Sequence, residues 1–127
     1  MYPENLMYSQ EHEWVQVEPG NRAKVGISYF AQKELGDVVF VELPEIGATV
    51  SVGDSFAVVE SVKAVSDIYA PVAGVIVAVN QALADSPEMI NEDSYEKGWI
   101  AVIEMSNAAD LDQLMSVAAY KAHIGEA

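Results

Sequence analysis

Turn-forming residues recur along this chain at short intervals, and this spacing leaves room only for short strands. Glycine, proline, asparagine and aspartate are favoured in turns because they tolerate or pre-set the required backbone angles. Such residues mark positions 19–21, 36–37, 44–47, 53–54, 71–74 and 98. Many short strands joined by regular turns are typical of a sandwich or a barrel. The sequence therefore predicts a mainly β fold.

Seven runs rich in valine, isoleucine and aromatic residues lie between these turns and predict strands. They span residues 13–18, 22–27, 38–43, 55–60, 66–70, 75–80 and 99–105. Within 75–79 both faces are apolar, which predicts a strand inside a sheet. Within 14–18 polar and apolar positions alternate, which predicts one solvated face.

Helical patterns occupy two stretches outside the strands. Ser28 is placed to cap a helix over 31–35, and Gly36 is placed to end it. A second amphipathic pattern begins at Asn107 or Asp110 and breaks near Ser116. Residues 80–97 lack strand periodicity and predict a long ordered loop with one helical turn at 86–88. A length of 127 residues fits one domain, with a core over about 12–105 and a helical segment over about 107–124.

The net charge of the chain makes some classes of binding partner unfavourable. Twenty acidic side chains against six basic ones give a net charge of −14. Because phosphate binding needs clustered lysine and arginine, we expect no nucleic acid and no anionic membrane as partner. Strong like charge favours a monomer. No apolar run approaches the ~20 residues of a membrane helix, and residues 1–5 show no leader pattern. These features predict a cytoplasmic bacterial protein, and a mature mitochondrial protein fits equally well.

Several kinds of catalytic site lack the residues they need. The chain has no cysteine, which excludes disulfides, thiolate metal sites and cysteine nucleophiles. The two histidines, His12 and His123, lie far apart in the sequence. No phosphate loop or nucleophile elbow is present. We therefore expect no metal site and no catalytic residues.

A weak internal repeat surrounds one lysine. Residues 43–50 align with residues 70–77, and both segments have the pattern Pro-x-x-Gly followed by apolar residues. Lys63 lies between the two copies, where two similar halves would place a hairpin at the far end of the molecule. From the residues alone, a lysine between apolar strands is most simply a solvated turn residue or an edge-strand charge.

The residues around Lys63 resemble the lipoylation site of the glycine cleavage system H proteins. The resemblance rests on Glu-Ser-Val-Lys-Ala at 60–64, followed by 66–74. Further blocks of the family follow in order across nearly the whole chain: 9–14, 26–41, 43–47, 86–87, Asn91, Tyr95 and 98–100. The main departure is Phe30, where the family often has histidine, and this difference is expected to alter a contact surface.

The resemblance implies a fold, a cofactor and a set of partners. The fold is the lipoyl/biotinyl-type barrel-sandwich of two antiparallel sheets. Lys63 forms an amide with lipoate, which removes its charge. The arm accepts an aminomethyl group from glycine decarboxylase, a pyridoxal-phosphate enzyme, and delivers it to a tetrahydrofolate-dependent aminomethyltransferase. Dihydrolipoamide dehydrogenase then reoxidises the arm. The carrier itself is not an enzyme.

The resemblance also assigns roles to three carboxylates. Glu13 and Asp67 line a cleft that shelters the cationic aminomethyl group, and Glu60 helps the lipoylating enzymes to recognise the hairpin. From the residues alone, Glu13 is a solvated strand carboxylate and Asp67 a strand-edge charge. His12 is expected to be a structural or strand-end hydrogen-bonding residue, and Trp14 and Trp99 are expected to be core anchors.

Four other functions compete with this interpretation. A biotinyl carrier typically has methionine on both sides of its lysine, whereas this chain has Val62 and Ala64. A lipoyl domain of a 2-oxo acid dehydrogenase usually belongs to a longer chain with Ala/Pro-rich linkers and carries aspartate before the lysine. Glu13 and Asp67 could form a glycosidase-like pair of acids. A plain β-sandwich interaction module would leave Lys63 unmodified.

Overall fold

The computed structural model describes residues 2–126, which form two antiparallel sheets with short helices around them. Each helix and strand is numbered in chain order, and a single 3-10 helix precedes the last helix. The elements are β1 (Met7–Tyr8), β2 (Glu13–Glu18), β3 (Arg22–Ile27), α1 (Tyr29–Leu35), β4 (Val38–Glu42), β5 (Thr49–Val50), β6 (Ser55–Ser61), β7 (Val65–Tyr69), β8 (Gly74–Val79), α2 (Ala82–Asp85), α3 (Met89–Glu92), β9 (Ala101–Met105), the 3-10 helix (Ala108–Gln113) and α4 (Val117–His123).

The strands divide into a six-stranded and a three-stranded sheet. The larger sheet has the order β1-β2-β3-β9-β8-β5, and the smaller one has the order β4-β6-β7. Apolar side chains from both sheets form one buried cluster, including Val25, Ile76 and Ile103 from the larger sheet and Val59 and Ile68 from the smaller. The predicted class, a mainly β fold of two antiparallel sheets, is confirmed.

All seven predicted strands are present, and their ends differ from the prediction by at most two residues. The sequence did not predict β1 and β5, because strands of two residues show no periodicity. Strand β8 lies inside its sheet as predicted, although its neighbour β5 pairs with it only at Thr49–Val75 and Val50–Gly74. This pairing joins the two copies of the internal repeat directly.

The predicted solvated face of β2 is present only towards the end of the strand, where Gln16 and Glu18 are partly exposed, and the prediction is wrong at its start. Glu13, Trp14 and Val15 are all buried at the start of the strand. Val15 faces the cluster between the sheets, whereas Trp14 lies in a second cluster on the other face. Aromatic side chains from both ends of the chain, including Tyr8 and Tyr120, cover that face. The alternation of polar and apolar residues along a strand cannot predict that a residue more than 100 positions away, here Tyr120, will cover one face of the strand.

Capping residues lie at the predicted ends of the helices. Ser28 caps α1 by accepting from the backbone N–H of Ala31 at 3.2 Å, and Gly36 ends the helix with φ 78°, as predicted. The predicted break near Ser116 is the N-cap of α4. Residues 80–97 contain two helical turns, α2 and α3, on either side of the predicted position 86–88.

Gly26 makes the closest backbone approach to the buried indole. A side-chain Cβ at Gly26 would lie 2.6 Å from ring atoms of Trp14, its cross-strand partner. We expect Gly26→Ala to lower the free energy of unfolding by about 1–3 kcal/mol through overpacking, measured by urea unfolding. In a Trp14→Phe background the same substitution should cost less, because the smaller ring leaves space. An equal cost in both backgrounds would contradict the clash.

Candidate functional site

Lys63 lies in the tight turn between β6 and β7, and the side chain of Ser61 closes this turn. The backbone N–H of Ser61 donates to the carbonyl of Ala64 at 2.8 Å. The Ser61 hydroxyl accepts from the N–H groups of Lys63 at 3.2 Å and Ala64 at 3.0 Å. It also donates to the Ala64 carbonyl at 3.2 Å. The buried Ser61 therefore stabilises this turn through side-chain hydrogen bonds, whereas most tight turns depend on the backbone preferences of glycine or proline.

The turn is also fixed to the rest of the molecule. The N–H of Val62 donates to the carbonyl of Asp37 at 3.0 Å, which ties the turn to the segment after α1. Lys63 is exposed, and its Cε lies 4.0 Å from the position that a Gly36 side chain would take. The single ion pair within residues 2–126 joins Lys24 to Glu18, so Lys63 forms none. Its amine is therefore presented on a rigid support without an anionic partner.

Glu13 is a buried carboxylate that spans from β2 to β7. Its side chain is 2% exposed. One carboxylate oxygen accepts from the Ser9 hydroxyl at 2.5 Å, and the other accepts from the backbone N–H of Tyr69 at 3.2 Å. Burial raises the pKa of Glu13 to about 7, although both hydrogen bonds oppose this shift and the Glu11 charge adds to it. The expectation of a solvated strand carboxylate at this position is wrong.

Asp67 is exposed on β7, where one of its oxygens accepts from the Ser55 hydroxyl at 3.0 Å. It lines a depression of about 190 Å³ beside α1, together with His12, Phe30 and Glu34. Glu13 lines a different depression, of about 230 Å³. The structure therefore places the two predicted cleft carboxylates in separate depressions.

Glu11 lines both depressions. No pattern in the sequence distinguishes Glu11 from the other exposed acids, although it lies within the segment 9–14 that resembles the family. The left-handed backbone of His12, with φ 74°, separates the exposed Glu11 from the buried Glu13. A non-glycine residue with positive φ is uncommon and has no clear sequence signal. Three carboxylates, Glu11, Glu13 and Asp67, thus border two depressions that share Glu11.

His12 forms part of a polar aromatic cluster. Its Nδ1 lies 2.9 Å from the Tyr120 hydroxyl, in agreement with its predicted hydrogen-bonding role. Its ring centroid lies 4.8 Å from that of Phe30 and 5.8 Å from that of His123. Burial and the nearby His123 lower the pKa of His12, while Glu11 and Glu34 oppose this shift. Within residues 2–126, no group of three or more His, Cys, Asp or Glu side chains is placed to hold a metal ion.

The two tryptophans have different environments. Trp14 is fully buried, and its indole N–H donates to the carbonyl of Ser94 at 2.9 Å, as expected for a core anchor. Trp99 is only partly buried at the edge of the same cluster, with the Lys24 amine 5.6 Å from its ring. Trp99 therefore contributes a cation–π contact at the surface.

Glu60 is exposed on β6, three residues before Lys63. It lies in a cross-strand row with Phe40 on β4 and Val65 on β7. A larger depression, of about 450 Å³, lies elsewhere around Pro44 and Phe56 and contains none of the predicted site residues. None of the helices formed by residues 2–126 is both long and apolar enough to span a membrane.

Comparisons with known proteins point to one family. The family described as "Glycine cleavage H-protein" matches residues 6–127. A glycine cleavage system H protein of Brevibacillus brevis is 55% identical over 125 residues, covering 98% of each chain. Another, from Coprothermobacter proteolyticus, is 56% identical over 123 residues and 97% of each chain. The crystal structure of a glycine cleavage system H protein from Mycobacterium marinum superposes with a TM-score of 0.90 at 39% identity, covering 97% of this chain and 98% of that one.

Proposed function

Because the chain belongs to the glycine cleavage H-protein family, the lipoate-bearing carriers of glycine cleavage, we propose that Lys63 carries a lipoyl group in amide linkage. The observation that supports this proposal most directly is the presentation of the lysine. Lys63 is exposed on a turn that Ser61 and Asp37 hold in place, and it has no ion-pair partner among residues 2–126. An attaching enzyme can therefore reach the amine without breaking an existing interaction.

The fit of a lipoyl group follows from the surroundings of Lys63. The lysine Cε lies beside Gly36, where the absence of a side chain leaves space over the end of α1. The depression with Asp67 follows α1 through Ala31, Glu34 and Leu35. A flexible arm that starts at Lys63 can therefore lie along α1. When bound, the lipoyl group supplies a dithiolane that accepts an aminomethyl group and is reoxidised after delivering it.

We propose that the carboxylates of the two depressions hold the cationic amine of this cargo. Glu11 and Asp67 are exposed and contribute negative charge at the opening. Glu13 is buried, and a cation beside it favours its ionised form. Removal from water protects the cargo against hydrolytic loss. Ser9 and the N–H of Tyr69 keep the Glu13 carboxylate oriented for this role.

The catalytic steps of the cycle belong to the partners in this proposal. These are glycine decarboxylase, the tetrahydrofolate-dependent aminomethyltransferase, dihydrolipoamide dehydrogenase and the lipoylating enzymes. The chain acts as one carrier unit, and the segment 108–123 is part of it. Tyr120 of α4 stacks on Tyr8 of β1 with ring centroids 4.6 Å apart, so this segment packs on the strands. Its net charge of −14 favours a monomer that visits basic partner surfaces in turn.

Mass spectrometry tests the attachment. We expect protein from cells supplied with lipoate to show a lipoyl-sized increase in intact mass, and peptide mapping to place it on Lys63. A biotin-sized increase would instead indicate a biotinyl carrier. No increase in a lipoylation-competent host would contradict the proposal. The purified protein alone should show no turnover of glycine, and turnover without partners would contradict the assignment of the catalytic steps to other proteins.

A further inference from the structure

The hydroxyl of Tyr120 lies in a buried network between α4 and the candidate site. The Tyr120 side chain is 0% exposed. Its hydroxyl lies 2.9 Å from Nδ1 of His12 and 2.6 Å from the hydroxyl of Ser28. A buried hydroxyl is costly to leave without partners, and this one has two. The helix α4 therefore contacts two polar residues that lie 108 and 92 positions earlier in the chain.

These contacts complete a ring of hydrogen bonds around His12. The backbone N–H of Ser28 donates to the carbonyl of His12 at 2.9 Å, so Ser28 binds His12 both directly and through Tyr120. The backbone N–H of His12 donates to the carbonyl of Ser9 at 3.1 Å. His12 is thus held at its ring, at its N–H and at its carbonyl. Because Ser28 also caps α1, the same contacts join His12 to the helix that borders the depression with Asp67.

The backbone conformation of His12 requires such support. Its φ of 74° lies in the left-handed region, which is unfavourable for a residue with a Cβ. A residue persists in this conformation when its surroundings hold it there. The neighbours of His12 in the chain are the exposed Glu11 and the buried Glu13. A return of His12 to negative φ would rotate the chain between these two carboxylates, so the conformation of His12 sets their relative positions.

The ring of Tyr120 is itself fixed by its aromatic neighbours. It stacks on Tyr8 with planes inclined by 8°, and it contacts Tyr2 edge-on with ring centroids 5.9 Å apart. Burial raises the pKa of Tyr120 to about 12, the hydrogen bond with Ser28 opposes this shift, and the charge of Glu13 adds to it. Tyr120 is therefore a rigid group that lies close enough to Glu13 to interact with its charge.

We propose that Tyr120 is a positioning residue for the carried aminomethyl group. Its hydroxyl holds His12 in the left-handed conformation, and His12 in turn keeps Glu11 and Glu13 at the two depressions. Because its side chain is fully buried, Tyr120 acts through His12 and not by touching the cargo. The inference rests on the proposed role of the carboxylates in holding that cargo. It gives α4, which belongs to neither sheet, a part in the function of the carrier.

The test compares two tyrosine-to-phenylalanine substitutions, which remove a hydroxyl and leave the ring. Tyr120→Phe removes the proposed contact. Tyr8→Phe is the matched control, because Tyr8 is also 0% exposed and stacks on Tyr120, but its hydroxyl donates to the carbonyl of Pro3 at 2.9 Å. Each variant is lipoylated, loaded with glycine by glycine decarboxylase and separated from that enzyme. Intact mass then follows the loss of the cargo, in which water cleaves the S–CH2 bond, the sulfur keeps a proton as a thiol, and formaldehyde and ammonia leave.

We expect Tyr120→Phe to shorten the lifetime of the aminomethyl group by about fivefold, the scale of one net hydrogen bond. Tyr8→Phe should leave this lifetime unchanged, although both variants lose a buried hydroxyl and both should unfold at lower urea concentration. NMR of the unloaded chain gives a second measurement. The ring 15N resonances of His12 should shift in Tyr120→Phe, because Nδ1 loses its partner, and should stay in place in Tyr8→Phe.

Substitutions of His12 test the route from Tyr120 to the carboxylates without altering the tyrosine. Both His12→Gly and His12→Ala remove the ring, but only glycine adopts a positive φ without steric cost. We therefore expect a longer lifetime of the aminomethyl group in His12→Gly than in His12→Ala. In the His12→Gly background, Tyr120→Phe should no longer shorten the lifetime, because the hydroxyl has no ring to hold.

Several results would overturn the inference. The first is an unchanged lifetime in Tyr120→Phe. The second is equal shortening in Tyr120→Phe and Tyr8→Phe, which would assign the effect to a general loss of stability. The third is equal lifetimes in His12→Gly and His12→Ala, or a full effect of Tyr120→Phe in the glycine background, either of which would exclude the route through His12.

The proposed function of the carboxylates is tested separately by the same lifetime measurement. A shortened lifetime in Glu13→Gln together with an unchanged lifetime in Tyr120→Phe would leave the role of the carboxylates intact and would contradict only the role of Tyr120. Unchanged lifetimes in both Glu13→Gln and Asp67→Ala would contradict the role of the carboxylates and, with it, the role of Tyr120.

Discussion

A Lys63→Arg variant is expected to remain unmodified and to abolish glycine cleavage in a system reconstituted with the partner enzymes. Arginine keeps the positive charge and the exposed position of the side chain. Its guanidinium stays protonated at all accessible pH values, so it is not an acceptor for the acyl group. The measurements are intact mass after incubation with a lipoate ligase, and release of carbon dioxide from labelled glycine.

The control for this prediction is Lys97→Arg, which changes another exposed lysine far along the chain from the hairpin. This variant should be modified and should support cleavage at the level of the unsubstituted protein. Lys63→Arg should also unfold at the same urea concentration as the unsubstituted protein, because Lys63 forms no ion pair within the described residues 2–126. Full cleavage activity in Lys63→Arg would refute the proposed attachment site.

A Glu13→Gln variant is expected to be more stable than the unsubstituted protein at pH 8, with a much smaller difference at pH 5. Burial raises the pKa of Glu13 from its ordinary value of 4.5 to about 7 in the folded protein. Between these two values the folded state binds a proton that the unfolded state does not bind. Stability therefore falls as pH rises through this window and levels off above it.

The expected gain follows from the same pKa values. The carboxylate costs up to about 3 kcal/mol of folding free energy above pH 7, at about 1.36 kcal/mol per pKa unit. A glutamine at this position is neutral at every pH. Its carbonyl can accept from the N–H of Tyr69 and its amide N–H can donate to the Ser9 oxygen, but the Ser9 hydroxyl then loses the carboxylate acceptor, so the gain is smaller than this upper value. Urea unfolding at pH 5 and pH 8 measures the difference.

The same substitution should shorten the lifetime of the carried aminomethyl group, because it removes the buried counter-charge. Stability and cargo protection therefore change in opposite directions in Glu13→Gln. Glu104→Gln, which changes an exposed carboxylate on β9, should alter neither property. Asp67→Ala should shorten the lifetime without the pH-dependent gain in stability. Unchanged lifetimes in both Glu13→Gln and Asp67→Ala would refute the role of the cleft.

The cost of the Glu13 carboxylate in folding free energy indicates that this group has a role other than stabilising the fold. Glu13 is held by two hydrogen bonds and still has a raised pKa, because burial outweighs them. A glutamine of the same shape can keep the contact with Tyr69 without the cost of ionisation. The cost is explained if the carboxylate serves a bound cation, which restores the ionised form when it is present.

Local pattern was sufficient to predict the strands and the caps of the helices. Turn residues mark the end of β2 and the starts of β3, β6 and β8 to within one residue. Ser28 and Gly36 bound α1 as their cap preferences predict. These features depend on backbone preferences of the residues themselves, so they can be inferred from the sequence. The position of Lys63 between two strands follows from the same pattern.

The environment of the site was decided by contacts between distant residues. Glu13 is buried where Ser9 and Tyr69, the latter 56 positions later in the chain, contact its carboxylate. Phe40 and Val65 are exposed in one row with Glu60, next to a register shift in β4 between Val38 and Phe40. The sequence by itself thus determined which strands form and which lysine lies in a turn, since these depend on local backbone preferences. Only the tertiary structure decided which carboxylate is buried and which apolar side chains remain exposed, since burial depends on what packs over a residue from elsewhere in the chain.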